Sequence, residues 1–131
     1  MNPSYGITRE LPDLEFDQAV TRTTEALKEQ GFGVLTEIDV QSTLKKKLNV
    51  EMPRYVILGA CNPPLAHQAL SADPAIGLLL PCNVIVVERA EGGTTVSALK
   101  PSELFAVVKD PRVDAIARQV EEKLARAIDS L

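Results

Sequence analysis

Two cysteines and one histidine are the only side chains in this 131-residue chain suited to thiolate or imidazole chemistry. Cys61 stands just before Asn62-Pro63-Pro64 and a run of helical spacing, where the unpaired N–H groups of a first turn favour thiolate. That position makes Cys61 the best nucleophile in the chain, with an expected pKa below that of a free thiol unless an apolar pocket raises it. Cys82 lies in an apolar strand region and repeats both the Cys-Asn dipeptide and the neighbouring proline of Cys61. If the two strands run antiparallel, the end of one meets the start of the other, with Cα atoms within about 12 Å and no disulfide in a reducing compartment. His67 follows Cys61 by six positions and would add imidazole to a soft metal site if its helix is suitably turned. The plainer alternative is that both cysteines are small buried hydrophobes and that His67 is an exposed or capped helix residue. A Cys-x2-Cys spacing would be a firm metal signature, and the 61/82 spacing is not one.

Other chemistry is thinly supplied. Glu37 and Asp39 stand at i, i+2 on one strand face, where two carboxylates can share a proton or a cation, or simply face solvent. Gly31-Phe32-Gly33 resembles the start of a dinucleotide fingerprint, but the third glycine is missing and the pair opens a strand rather than a helix. There is no G-x-S-x-G elbow and no H-E-x-x-H pair, so hydrolase and zincin readings fail. Lys45-Lys46-Lys47 reads as a solvated helix face, with an anion or partner patch as its alternative. A formal charge of −4 and otherwise scattered lysines and arginines argue against nucleic acid. No apolar run approaches the roughly 18 residues of a membrane span, and no basic-then-apolar leader opens the chain. The expectation is a single domain, residues 1–131, in the cytoplasm.

The elements that must position these groups follow from hydrophobic period. Tyr5 to Leu11 reads as a strand, and Asp13 is placed to cap a helix in which Phe16, Val20, Thr23 and Leu27 form the buried stripe before Gly31 stops it. Phe32, Val34, Thr36 and Ile38 then alternate with Glu37 and Asp39 as a strand with one wet side, and Asp39 can cap a short helix through Leu48. Tyr55 to Ala60 is a continuous apolar run suited to a central strand. Asn62 reads as the N-cap of a helix running to about Ala72. Leu78 to Leu80 and Val84 to Glu88 read as one strand interrupted at Pro81, or two short ones, with a bulge or an edge position required at the proline. Glu91-Gly92-Gly93-Thr94 signals a hairpin into Thr95 to Leu99, and Pro101 to Lys109 fits neither period and reads as loop with a turn of helix. Asp110-Pro111 opens a closing helix whose stripe runs from Val113 to Leu131. The order predicts an α+β fold, two long helices and short ones on a mostly antiparallel sheet.

The segments Gly31-Phe32-Gly33-Val34-Leu35-Thr36-Glu37-Ile38-Asp39, Tyr55 to Pro64 and Gly77-Leu78-Leu79-Leu80-Pro81-Cys82-Asn83-Val84 closely resemble the bacterial and archaeal family called domain of unknown function 302. The resemblance spans essentially the whole chain and both Cys-Asn dipeptides. It implies a curved antiparallel sheet with helices on one side, of the TATA-binding-protein class (TBP-like), and a homodimer. It implies no DNA function, because one fold hosts many activities and this chain is acidic.

Three readings follow. The first is a dimeric cytosolic module binding a small ligand or a soft metal ion near Cys61, Asn62, Cys82 and Asn83, with the Gly31–Asp39 strand, including Glu37 and Asp39, lining the site. The second is a thiol-dependent redox enzyme with Cys61 as nucleophile and Cys82 as resolving thiol. The third is a structural or interaction module. A twofold dimer is expected because the runs Tyr55 to Ala60 and Leu78 to Leu80 exceed what a small one-sided sheet hides.

Overall fold

In the computed structural model, which describes all 131 residues, five strands form one open sheet in the order β1-β5-β4-β3-β2, every neighbouring pair antiparallel. The strands are β1 (Gly6–Leu11), β2 (Gly33–Asp39), β3 (Tyr55–Cys61), β4 (Cys82–Glu88) and β5 (Thr94–Leu99). The helices are α1 (Phe16–Glu29), α2 (Val40–Leu48), α3 (Pro63–Ala72), α4 (Pro101–Leu104) and α5 (Pro111–Asp129). No helix is long and apolar enough to cross a membrane.

Period two divides the sheet into a covered and an open face. Val56, Leu58 and Ala60 of β3 lie in register beside Val86, Val84 and Cys82 of β4, and Val84 and Val86 beside Ala98 and Val96 of β5. Helices α1 and α5 close over this face with Leu27, Val113, Ala117 and Leu124, which with the strand residues belong to one cluster of 25 buried apolar side chains. Burying a Val or Leu side chain is worth about 1.5–3 kcal/mol, so this layer is the main stabilising contact of the fold. Arg9, on the edge strand β1, donates to the carbonyls of Ile128 (3.4 Å) and Asp129 (2.6 Å) and satisfies the end of α5.

Several local readings hold for the expected reasons. Asp39 accepts from the Ser42 N–H at 2.9 Å and opens α2, and Asp110 does the same for Arg112 N–H at α5. Gly31, at φ +85°, ends α1 with bonds from Phe32 N–H to Leu27 C=O and from Gly31 N–H to Lys28 C=O, the paired closure of a Schellman turn. The β4–β5 hairpin turns on Gly92 and Gly93, both at positive φ.

The structure corrects five expectations. Helix α1 starts behind Glu15, with no side-chain cap, so Asp13 does not cap it. A bulge at Leu35 splits β2: Val34 pairs with Ala60, but Thr36 and Ile38 pair with Gly59 and Ile57 on the open face, while Glu37 and Asp39 lie across from Leu58 and Val56. One inserted residue exchanges the faces of everything after it. Leu78 to Leu80 is not a strand: Pro74–Leu79 forms a 3-10 turn, and Pro81, cis to Leu80, precedes the β4 ladder instead of interrupting it. In the stretch read as loop with a turn of helix the turn is there as α4, but the remainder is a 3-10 turn at Phe105–Val108 where loop was expected. Strand β3 is interior but one place off centre, and β4 is the central strand.

Candidate functional site

Strand β3 ends and β4 begins at the same edge of the sheet. Ala60 faces Cys82 in the ladder, so the Cα atoms of Cys61 and Cys82 lie no more than about 9 Å apart, one inter-strand spacing plus one chain step. Both cysteines are free thiols. They line one cleft of 310 Å³ whose sixteen lining residues are thirteen hydrophobic ones plus Asn62 and two others, none charged. Its deep walls are Phe32, Leu65, Ala69, Phe105, Ile116 and Val120, and its rim carries exposed Leu35 and Leu70.

Each wall is placed by a local rule. Phe32 is buried there because the Schellman closure of α1 turns the chain inward at that residue. Leu35 is the bulged residue of β2, left without a ladder partner and re-aimed over the mouth. Leu65, Ala66 and Ala69 share one side of α3, which opens where the Asn62 carboxamide oxygen accepts from the Leu65 N–H at 3.3 Å. The Asn62 amide nitrogen reaches the Gln30 carbonyl at 3.5 Å, so this buried side chain also ties α3 to the end of α1.

The two thiols differ. Cys61 is half-buried and Cys82 is buried at 4% exposure. Burial, with the neighbouring Cys61 adding to it, pushes the Cys82 thiol up to about 11 from an ordinary value of 9.0. Cys82 is therefore a protonated, apolar group near neutral pH.

The remaining residues expected at this site are elsewhere. Asn83 is exposed on the open face, across from Gly59, because it follows Cys82 by one position in a strand. Glu37 and Asp39 are exposed on the edge strand, and the Asp39 carboxylate is engaged in capping α2. His67 is exposed on α3, and no three His, Cys, Asp or Glu side chains converge, so the Cys61/Cys82/His67 metal set is not assembled. Lys45, Lys46 and Lys47 are exposed, with Lys45 paired to Glu51. Phe105, Ile116 and Val120 were missed as site residues, and Leu35 was covered only as one residue of the Gly31–Asp39 strand. The stripe of α5 points to Ile116 and Val120 only as core, Phe105 fits no period, and nothing in the local pattern announces the bulge.

The open face carries a second, shallower hollow of 620 Å³ between residues Met1 to Gly6 and Tyr55, Asn83, Ile85 and Ser97. Ser97, which lines this hollow, shares a hydrogen bond of 2.7 Å with Thr8, and elsewhere on the same face Thr95 donates to Glu10, which also meets Arg89 at 3.1 Å.

A one-layer antiparallel sheet with helices on one face and an apolar two-thiol cleft at its end defines an α+β protein with no assembled catalytic triad or metal cluster. The chain belongs to the family described as domain of unknown function DUF302, whose model matches residues 7–131. It is similar to the uncharacterized conserved protein DUF302 from Bacillus stearothermophilus, known from a crystal structure, at 30% identity and a TM-score of 0.89, over 97% of this chain and 98% of that one. No curated protein matches it.

Proposed function

We propose that this chain is a small binding module that receives a compact apolar molecule in the Cys61/Cys82 cleft. The observation that carries this reading is the composition of the walls: thirteen of sixteen are hydrophobic around 310 Å³. That volume is at the low end for small-molecule pockets, and apolar walls with few polar groups are their usual lining. The two thiols supply soft, polarizable contacts and Asn62 is already occupied as a cap. Both thiols act in the reduced state, which fits a cytoplasmic setting.

The test uses the neutral fluorophore N-phenyl-1-naphthylamine. Half-buried Ala66 lines the cleft, so Ala66→Trp fills it from the rim without removing any core side chain. Binding of the fluorophore is expected to weaken at least tenfold in Ala66→Trp and to stay unchanged in Ile85→Ala on the open face. Equal affinity in wild type and Ala66→Trp would remove the cleft as the binding site.

The redox reading has Cys61 as nucleophile beside a helix N-terminus in its favour. Against it stands the partner: with a thiol at about 11, the thiolate fraction of Cys82 at pH 7 is about one in ten thousand, too small for a prompt resolving step. A dimer belongs to the binding reading as well. Leu35 at 67% exposure, Leu70 at 39% and Leu78 at 89% put apolar surface on and beside the cleft mouth, where a second copy would cover it. Sedimentation should show a dimer at micromolar concentration, and a monomer throughout would remove that part. The run Tyr55 to Ala60 contributes less than its sequence promises, because Val56, Leu58 and Ala60 are covered by the chain's own helices.

A further inference from the structure

The apolar cleft and the surface around its mouth share side chains. From this we infer that ligand binding and the pairing of two chains are one coupled equilibrium: an occupied cleft drives association, and association tightens the hold on the occupant. The inference rests on the apolar-ligand reading of the cleft and on the twofold contact proposed with it, and it adds the sign of the coupling between them.

Three observations lead to it. The first is the shared rim. Leu35 and Leu70 line the cleft and are also exposed at its mouth. Leu78, almost fully exposed, belongs to the same patch, because it follows the cleft residue Gly77, where an added methyl group would stand 3.9 Å from Leu70 Cδ2. Whatever covers this patch covers the mouth, and an isologous contact sets the same patch of a second copy against it. One chain therefore supplies the walls of the site, and the partner's Leu78 and its neighbours supply the roof.

The second observation is area. The three leucines expose on the order of 300 Å² of apolar surface, the size at which a patch on a monomer is often functional. A stable interface takes about 800 Å² from each partner, about 65% of it apolar in homodimers. The leucine patch alone falls short of that figure, so two empty chains make a weak pair. An apolar occupant level with the rim adds contact surface at the centre of the patch, where it is missing.

The third is the cavity itself, which fixes the sign. Roofing an empty cleft seals 310 Å³ of space between apolar walls, either dry or holding water with few polar partners, and unfilled volume of this kind destabilises in proportion to its size. A compact apolar molecule removes the void, and because no charged side chain lines the cleft, closing it over such a molecule strands no wall charge away from water. The filled pair is thus favoured over the empty pair. By linkage, the occupant strengthens the pair and the pair strengthens binding of the occupant by the same free energy.

The experiment measures association of the native chain by sedimentation equilibrium with and without saturating N-phenyl-1-naphthylamine, and titrates the fluorophore on protein held well below and well above the dimer dissociation constant. Saturating fluorophore is expected to lower the dimer dissociation constant at least about tenfold; with one site per chain, the same coupling makes the fluorophore bind the dimer at least about threefold more tightly than the monomer. Leu78→Glu places a charge on the patch without touching the cleft lining, so it should stay monomeric and show the weaker affinity at every protein concentration. Ala66→Trp, with the cleft already filled, should associate to the same extent with and without fluorophore. A dimer dissociation constant that the fluorophore leaves unmoved or raises, or one fluorophore affinity at all protein concentrations, would overturn the coupling and leave the cleft a binding site. A chain that stays monomeric with the fluorophore bound would overturn it too. No fluorophore bound by the native chain at any concentration would remove the cleft reading, and the coupling with it.

Discussion

The cleft at the Cys61/Cys82 end and the hollow on the open face sit on opposite sides of the same strands, and they are built on opposite principles. The cleft is walled by side chains from β2, β3, α3, β4 and α5 and from the turn after α4, nearly all apolar, with its depth set by core packing. The hollow is twice as large, 620 against 310 Å³, yet its floor is a sheet surface whose Ser97 hydroxyl is already bonded to Thr8. Volume is thus a poor guide to function here. What distinguishes the cleft is that its only reactive side chains, two thiols, have no protein partner. The two Cys-Asn dipeptides make the same contrast in miniature: both cysteines reach the cleft, but Asn62 caps a helix behind it and Asn83 looks out from the other face.

Truncation should break the comparison most visibly. Phe105 is 2% exposed and joins the cleft wall to the core, so Phe105→Ala is expected to cost about 3–5 kcal/mol, whereas half-exposed Ile85→Ala on the open face should cost about 1 kcal/mol. Urea midpoints of the two variants measure the gap, and equal midpoints would mean that the cleft wall is not part of the core.

Alkali separates the thiols next. Cys82 keeps its proton to about 11 in the fold and gives it up near 9.0 when unfolded, so between those values the unfolded state binds fewer protons and stability falls as pH rises. The loss attributable to this group reaches about 2 kcal/mol at pH 11 and is absent below pH 8. Denaturation of wild type and Cys82→Ala across pH 8–11 should show the difference between them narrowing, and parallel curves would show that Cys82 titrates normally.

A methyl group on Gly59 tests the sheet between the two regions. Its added carbon would stand 2.2 Å from the Thr36 hydroxyl and 2.9 Å from the ring of Pro81, so Gly59→Ala should cost about 1–3 kcal/mol and shift the bulge. Thermal unfolding and the alkylation rate of Cys61, next to that contact in the chain, report both effects. Smallest is the pair of asparagines: Asn62→Ala loses a cap worth about 1 kcal/mol, and Asn83→Ala stays within about 0.5 kcal/mol. Similar losses from both would restore the idea that the two dipeptides do one job.

The sequence by itself determined the elements whose signals are local. Asp39, Asn62 and Asp110 act as caps because an oxygen two or three residues before an unpaired N–H reaches it in any context, and Gly31 and Gly92-Gly93 turn because few other residues tolerate positive φ. The stripe of α5 and the adjacency of the two cysteines followed from period and antiparallel order alone. Tertiary structure decided the rest. A bulge costs one residue and leaves no mark in composition, so only the pairing of β2 with β3 shows that Leu35 overhangs the cleft and that Thr36 and Ile38 leave the face of Val34 while Glu37 and Asp39 join it. Leu78 to Leu80 has strand composition, but the stretch between two prolines closes a 3-10 turn, with buried Ile76 anchored in the core. Phe105 has no period to read, and its burial comes from contacts far away in the chain. Hydrogen bonds within a few residues are written into the sequence, whereas the walls of a cleft belong to six separate segments and exist only once the chain has brought them together.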